Sequence, residues 1–423
     1  MRTYLRFVLQ SILGMLGLSV YILADTFFIA NYIGADGLAA LNLALPVYGI
    51  INGTGLLIGI GGATRWTILR TRGDTRADVV FFACLLLGGV FSLLFLLPGL
   101  LCAGKIAALL GAVGAVLQPT TVYLQVCCLF SPFFILNNIL VAFTRNDDAP
   151  GRAMTAMLFG SGMNIVMDWY LVCVMGLGML GAVLATGMAP LFGILICLIR
   201  RRGYRPVRCR AVTEIPHIFA AGFSAFIGEL SSTVVILVFN YLLLALSGST
   251  AVAAYGIIAN VALVATAVLT GAAQGAQPLF SSAFAGENPA ILRRLTHWGL
   301  CTAGCIGLLF TLGALMFPDA VVAVFSRGDA ILTQLAVPGL MLYFTNYLFC
   351  GANLLLTARL AATERSRAAT WLSLLRGVIL VVPCALLGAW LGGITGLWLA
   401  IPAAELLTFA AGTFLLRKGD AMH

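Results

Sequence analysis

Hydrophobic residues run along this chain in long stretches, each closed by a short polar break rich in arginine, glycine or proline. The stretches show no period-two alternation, so they predict helices rather than barrel strands. Each is about 20 residues or longer, enough to cross a bilayer. Twelve are predicted. The first six run from Thr3 to Ala30, Ala39 to Leu69, Val79 to Leu101, Val116 to Phe143, Ala153 to Val174 and Met179 to Ile199. The second six run from His217 to Leu246, Ala251 to Phe284, Leu295 to Met316, Ala330 to Leu356, Ala368 to Leu391 and Ile394 to Leu416.

Composition supports this pattern. Hydrophobic residues make up 61% and charged residues 9% of the 423 positions, whereas soluble domains carry about 25% charged residues. A soluble globule, a disordered chain and a nucleic-acid binder are excluded. The 11 cysteines lie mostly inside apolar runs and read as small buried hydrophobes, not as a disulfide framework. The N-terminus resembles a signal peptide, but no small-residue cleavage site follows, so it is expected to remain as the first helix.

Charge orients the bundle. Twenty of the 24 basic residues fall in alternate connections or at the termini, among them Arg70, Arg72, Arg76, Arg145, Arg152 and the run Arg200 to Arg210. The opposite side holds only Lys105 and Arg327, while Arg65 and Arg376 lie within spans. By the positive-inside rule both termini are expected in the cytoplasm, in keeping with an even span number. Arg65, near the end of its span, is expected to snorkel to the interface.

The chain also repeats itself once, at a shift of about 215 residues. Leu38-Ala-Ala-Leu41 meets Val252-Ala-Ala-Tyr255, and Leu180 to Thr186 meets Thr395 to Ile401. Two parallel six-helix lobes follow, 1–200 and 217–423, joined by a basic linker at 201–216. Lobes that flank a central cleft suit alternating access. Clustered glycines, such as Gly53, Gly55, Gly59, Gly61 and Gly62 in span 2 and Gly271 and Gly275 in span 8, are expected where helices approach closely.

Four acids sit at membrane depth: Asp25, Asp168, Glu229 and Glu405. Each costs roughly 2.5–3.5 kcal/mol to place there and so asks for a reason. The repeat sets Asn240 against Asp25 and Pro383 against Asp168, so only the first lobe keeps that pair. Asn164 lies one helical turn before Asp168, Asn137 and Asn138 sit in span 4, and Thr186 in span 6 faces Ile401 in the repeat. These oxygens suit a small hard cation or a proton. Glu229 and Glu405 either face a cleft, where they attract a cationic substrate, or pair with an arginine, Arg376 being available to Glu405. Aromatic residues such as Phe27, Phe133, Trp169, Phe239 and Tyr255 either line an apolar cleft or pack in the core.

Gly99-x4-Gly104-Lys105 imitates a phosphate loop, but Ile106 follows and no strand precedes it. Gly176-x-Gly178-x-x-Gly181 imitates a dinucleotide fingerprint within a short turn between spans. No cofactor is expected beyond the coupling ion, and no nucleophile–base pair or metal triad marks an enzyme.

Tyr21 to Ala30 around Asp25, Ile33-Gly34 and Leu38 to Pro46 resemble the opening of multidrug and toxic compound extrusion (MATE) transporters. Asn164-x3-Asp168, Gly181 to Thr186, Gln277-Pro278 and Trp398-x-Ala400-x-Pro402-x-x-Glu405 carry the likeness along the chain, nearest to the bacterial DinF-like and MepA-like branch. The resemblance implies an all-α membrane protein, twelve helices in two six-helix bundles around a V-shaped cleft. It implies export of organic, often cationic and amphipathic compounds in exchange for H+ or Na+. It places a cation-coupling site at Asp25, Asn138, Asn164, Asp168 and Thr186, the same set being a possible Na+ site. Glu229 matches a second-lobe acid of some relatives, but span 10 lacks the other; span 1 also lacks the proline that bends it in some members.

The expected protein is therefore a monomeric antiporter of the bacterial inner membrane, with the lipid bilayer, a small organic substrate and the ion as partners and no nucleic acid. Its cavity is expected to include Glu229, Glu405, Asn240, Tyr255 and Gln277. A lipid-linked glycan flippase is the nearest alternative, but it would want several cavity cations and only Arg65 and Arg376 are available. A channel or a membrane enzyme is a more distant one.

Overall fold

The computed structural model describes residues 1–199, 211–326 and 329–420; the arginine run of the linker, 200–210, and Arg327 lie outside the described residues. Among the described residues all regular elements are helices, as hydrocarbon demands of backbone that must pair all its polar groups internally. Spans 1 to 3 are Arg2–Tyr32, Ala35–Thr71 and Ala77–Leu109. Span 4 joins Leu117–Leu129 to Ser131–Asn146 across a 49° bend. Span 5, Pro150–Asp168, runs into the π-helical turn Trp169–Val174, and span 6 is Gly178–Leu198.

In the second half, the helical stretch Ile215–Ala285 turns back at Ser247 and Gly248 to make spans 7 and 8. Phe239 and Tyr255, on either side of that turn, stack with ring centroids 5.1 Å apart. Span 9 is Pro289–Met316 and is capped by the Asn288 side chain. Span 10 joins Ala330–Phe344 to Tyr347–Ala362 across a 45° bend. Span 11 comprises Ser366–Leu374, the π turn Leu375–Ile379 and the start of Val381–Asp420. The remainder, beyond Gly393, is span 12. Gly248 and Gly393 turn at φ 72° and 56°, a region a side chain opposes. The described residues thus contain twelve spans in two bundles of six. The repeat is physical: the bends of spans 4 and 10 coincide under the shift. Asp148 and Glu364, just beyond those spans, share left-handed backbones at φ 55° and 57°.

Each bundle has its own core, one centred on Ile135, Phe143 and Ile58, the other on Phe239, Leu340 and Trp398. The lobes exchange helix ends at the face that carries the basic loops. There span 7 enters the first core through Ile218, while span 1 joins a small cluster with spans 8, 9 and 10 through Tyr4 and Val8.

Two seams result. Spans 2 and 7 run antiparallel, and glycines let them touch. A Cβ on Gly61 would strike the Ile218 carbonyl, and one on Gly222 the Leu57 carbonyl. A Cβ on Gly53 would lie 3.1 Å from Phe226, and one on Gly49 3.5 Å from Thr233. Spans 1 and 8 repeat the arrangement, with Gly271 against Ser11 and Ile12 and Gly275 against Phe7 and Val8. The small residues expected to bring helices together therefore join the lobes as well as the helices within them; Gly55 and Gly59 pack on Asn138 inside the first lobe.

Charges close the basic face. Arg65 does not snorkel. Its Nε donates to Glu214 Oε2 at 2.9 Å and its Nη1 to Glu364 Oε1 at 2.9 Å, so a first-lobe arginine binds the foot of span 7 and the turn after span 10. Its side chain is only 11% exposed, because two acids from across the seam meet it before water does. Alongside, Arg145 Nη1 donates to Gln274 Oε1 at 2.8 Å, and Gln277 Nε2 donates to Thr64 Oγ1 at 3.0 Å.

Candidate functional site

Span 5 builds the first part of the site. Asn164 and Asp168 are one turn apart and both fully buried. With the Asn164 amide turned so that both ends are satisfied, its nitrogen donates to Asp168 Oδ2 at 3.1 Å. Its oxygen accepts from the Thr186 backbone N–H at 3.3 Å. Asp168 is the last α-helical residue before the π turn Trp169–Val174; such turns recur at functional sites because they re-aim side chains.

Asp25 comes from span 1, which packs along span 5, and is buried. Three oxygens in this region, Asp25 Oδ1, Asp168 Oδ1 and Thr186 Oγ1, are buried with no hydrogen-bond partner among the described residues. Buried polar atoms are seldom left so. Two carboxyl oxygens and a hydroxyl are a hard-oxygen set, and an unpaired negative charge there is costly unless a proton or a small hard cation meets it. These donors fit either ion.

Asn138 is engaged elsewhere. It is half-buried, and its Nδ2 donates to Asn52 Oδ1 at 2.9 Å, while Asn52 Nδ2 donates to Glu229 Oε1 at 2.9 Å. Asn137 turns instead onto span 6, against Gly193. Glu229 is half-buried on span 7, and Asn240 is half-buried farther along the same span. Tyr21, one turn before Asp25 on span 1, has its hydroxyl 3.3 Å from that of Tyr48.

The remaining cavity candidates lie in packed surroundings. Glu405 accepts from Arg376 Nε at 2.6 Å and from Asn353 Nδ2 at 2.6 Å, which is the pairing alternative rather than the open-cleft one. Tyr255 is 3% exposed among Phe239, Tyr343 and Trp398, because span 8 turns it into the second core. Gln277 is buried in the seam against Thr64. Sequence reading missed Asn52, since Asn52-Gly-Thr54 looks only like a misplaced glycosylation acceptor; an amide at mid-span among glycines was the available signal.

The MatE family model matches residues 11–170 and 224–387. The chain is 30% identical to the multidrug export protein MepA of Staphylococcus saprophyticus subsp. saprophyticus, over 96% of this chain and 91% of that one. It is 29% identical to the protein of the same name from Staphylococcus aureus, over 97% and 92%. Among solved structures it resembles a MATE in complex with MaL6, at a TM-score of 0.92 and 19% identity, covering 99% of this chain and 96% of that one. An outward-facing multidrug resistance MATE family transporter superposes at a TM-score of 0.91 and 20% identity, with coverage of 99% and 96%.

Proposed function

Because the chain belongs to the MatE family, and is a membrane transporter rather than an enzyme, we propose that it exports organic compounds, cationic and amphipathic in character, in exchange for H+ or Na+. The working unit is one chain in a bacterial cytoplasmic membrane, with the basic face and both termini inside and lobes at 1–200 and 217–423. The family and the names of the relatives support multidrug export. The observation that carries the coupling site is the set of buried, unpartnered oxygens on Asp25, Asp168 and Thr186, braced by Asn164. Asn138 is kept in the proposed set from span 4, although its amide nitrogen donates to Asn52.

On this reading an ion enters from the outer side and neutralises Asp25 and Asp168 in the first lobe. Loading changes the balance between the two lobe arrangements, and cargo favours the other arrangement. Two ligands with opposite preferences are then coupled without touching. With lobes joined at the basic face, this structure corresponds to the outward-facing member of the cycle. A flippase reading finds less support. It needs free cations in the cleft, whereas Arg65 and Arg376 are both already paired with acids.

The test is cargo uptake into inverted proteoliposomes, whose outer face is the cytoplasmic one, under an imposed ΔpH and, separately, a sodium gradient. The D25N/D168N double variant is expected to lose gradient-driven export at least tenfold while remaining folded. Full export by that variant overturns the assignment of the coupling site.

A further inference from the structure

A polar chain crosses from one lobe to the other. Asn52, in span 2, is its middle member. An amide has a donor end and an acceptor end, and here both are used: Asn138 donates to the oxygen and the nitrogen donates to Glu229, each at 2.9 Å. The chain therefore has a fixed direction, ending on one carboxyl oxygen of a second-lobe acid.

Glycines set its reach. A Cβ on Gly53 would come within 3.4 Å of Glu229 Cβ, and a Cβ on Gly55 within 2.7 Å of Asn138 Nδ2. Span 2 is thus held close enough to spans 7 and 4 for one short side chain to bond both. Only Oε1 of Glu229 is tied to Asn52, and the residue remains partly exposed. The bond also crosses the seam. It can persist only while spans 2 and 7 are together.

We propose that Asn52 is a positioning residue. It holds Glu229 with one oxygen fixed and the other turned to the cleft for the cationic centre of the cargo, and it does so only in the arrangement with the basic face closed. This rests on the export reading above and adds the element that makes cargo affinity depend on lobe arrangement. When the seam opens, Glu229 loses its donor and the cleft its oriented carboxylate. Affinity for a cation thus differs between the two states, as coupled exchange requires.

Two measurements on the full-length protein test this. The first is the concentration dependence of tetraphenylphosphonium uptake into inverted proteoliposomes. N52L is expected to raise KM about tenfold with maximal rate within twofold. E229Q, which removes the charge itself, is expected to raise KM at least as far, and N52L added to E229Q to raise it no further. Unchanged KM in N52L, or additive losses in N52L/E229Q when both are well folded, overturns the proposal.

The second measurement needs no transport. In a cysteine-free background, the G49C/T233C pair reports closure of the span 2–span 7 seam by its rate of disulfide formation. Adding N52L is expected to slow that rate several-fold; no change overturns the cross-seam tie. If the unmodified protein moves no organic cation under either gradient, the export reading fails, and the cross-linking rate still decides the tie.

Discussion

At the scale of single residues, buried charge separates into two kinds. Glu405 is fully served: Arg376 and Asn353 occupy both carboxyl oxygens, and Arg376 Nη2 also reaches Cys350 Sγ at 3.1 Å. Such a group stabilises its lobe as long as it stays paired. Removing one partner strands a charge, at a cost of about 3–5 kcal/mol. R376M is therefore expected to lower the thermal midpoint of the detergent-solubilised protein by several degrees. R376M/E405Q, which removes the stranded charge, is expected to recover part of the loss. Asp25 and Asp168 are the other kind, each with an oxygen left unserved. Sequence could identify all of these acids but could not sort them, because an acid's partner is set by which helix faces it. Asn353 and Asn138 illustrate the point. They are equivalent under the repeat, yet one bonds Glu405 within its lobe while the other bonds Asn52 and, through it, the opposite lobe.

At the scale of elements, spans 2 and 7 form one of the two seams where the lobes meet. Leu57, Gly61 and Arg65 on span 2 meet Gly222, Ile218 and the Glu214 foot of span 7, contacts one helical turn apart on each helix. Backbone packed on backbone tolerates no added atom. G61V is expected to drive the helices apart at the basic face, because its new carbons would overlap the Ile218 carbonyl. Spin labels placed at the basic-face ends of spans 2 and 7 should report a longer mean distance than in the unmodified protein. G89V, at a glycine with open space around the added carbon, should leave that distance unchanged. Helix positions were legible from the apolar runs, and every predicted span is present. The bend of span 4, the π turn after Asp168 and the partners of each glycine were not, since they depend on which neighbours fill the space beside a helix.

Considered as one molecule, the lobes are closed at the basic face by a few polar ties placed asymmetrically on a symmetric frame. Under the repeat, Arg65 falls near Phe280 and Ser281, so the second lobe has no matching latch. One arginine thus binds Glu214 and Glu364 across the seam, and its loss removes two contacts at once. R65Q is expected to shift the population about tenfold toward the state open at the basic face, a change of roughly 1.4 kcal/mol. Thiol-labelling rates of a cysteine placed in the seam check this. The exchange R65E/E214R restores one of the two contacts but sets a carboxylate beside Glu364, so it should return the rate only in part, and equal rates in R65Q and the parent would remove the latch from the account.

The amino-acid sequence by itself determined that this chain spans a membrane twelve times, that it is a doubled unit, and that its first half holds acids the second half lacks. Those properties are local or additive: hydrocarbon rewards apolar runs wherever they fold, and a repeat needs only a shift to be seen. The tertiary structure alone decided that Arg65 serves as a latch, that Glu405 is neutralised, that Tyr255 is core, and that Asn52 joins the lobes. Each of these depends on residues tens to hundreds of positions apart meeting within a few ångströms, and such meetings follow from how helices pack, not from what any one helix contains.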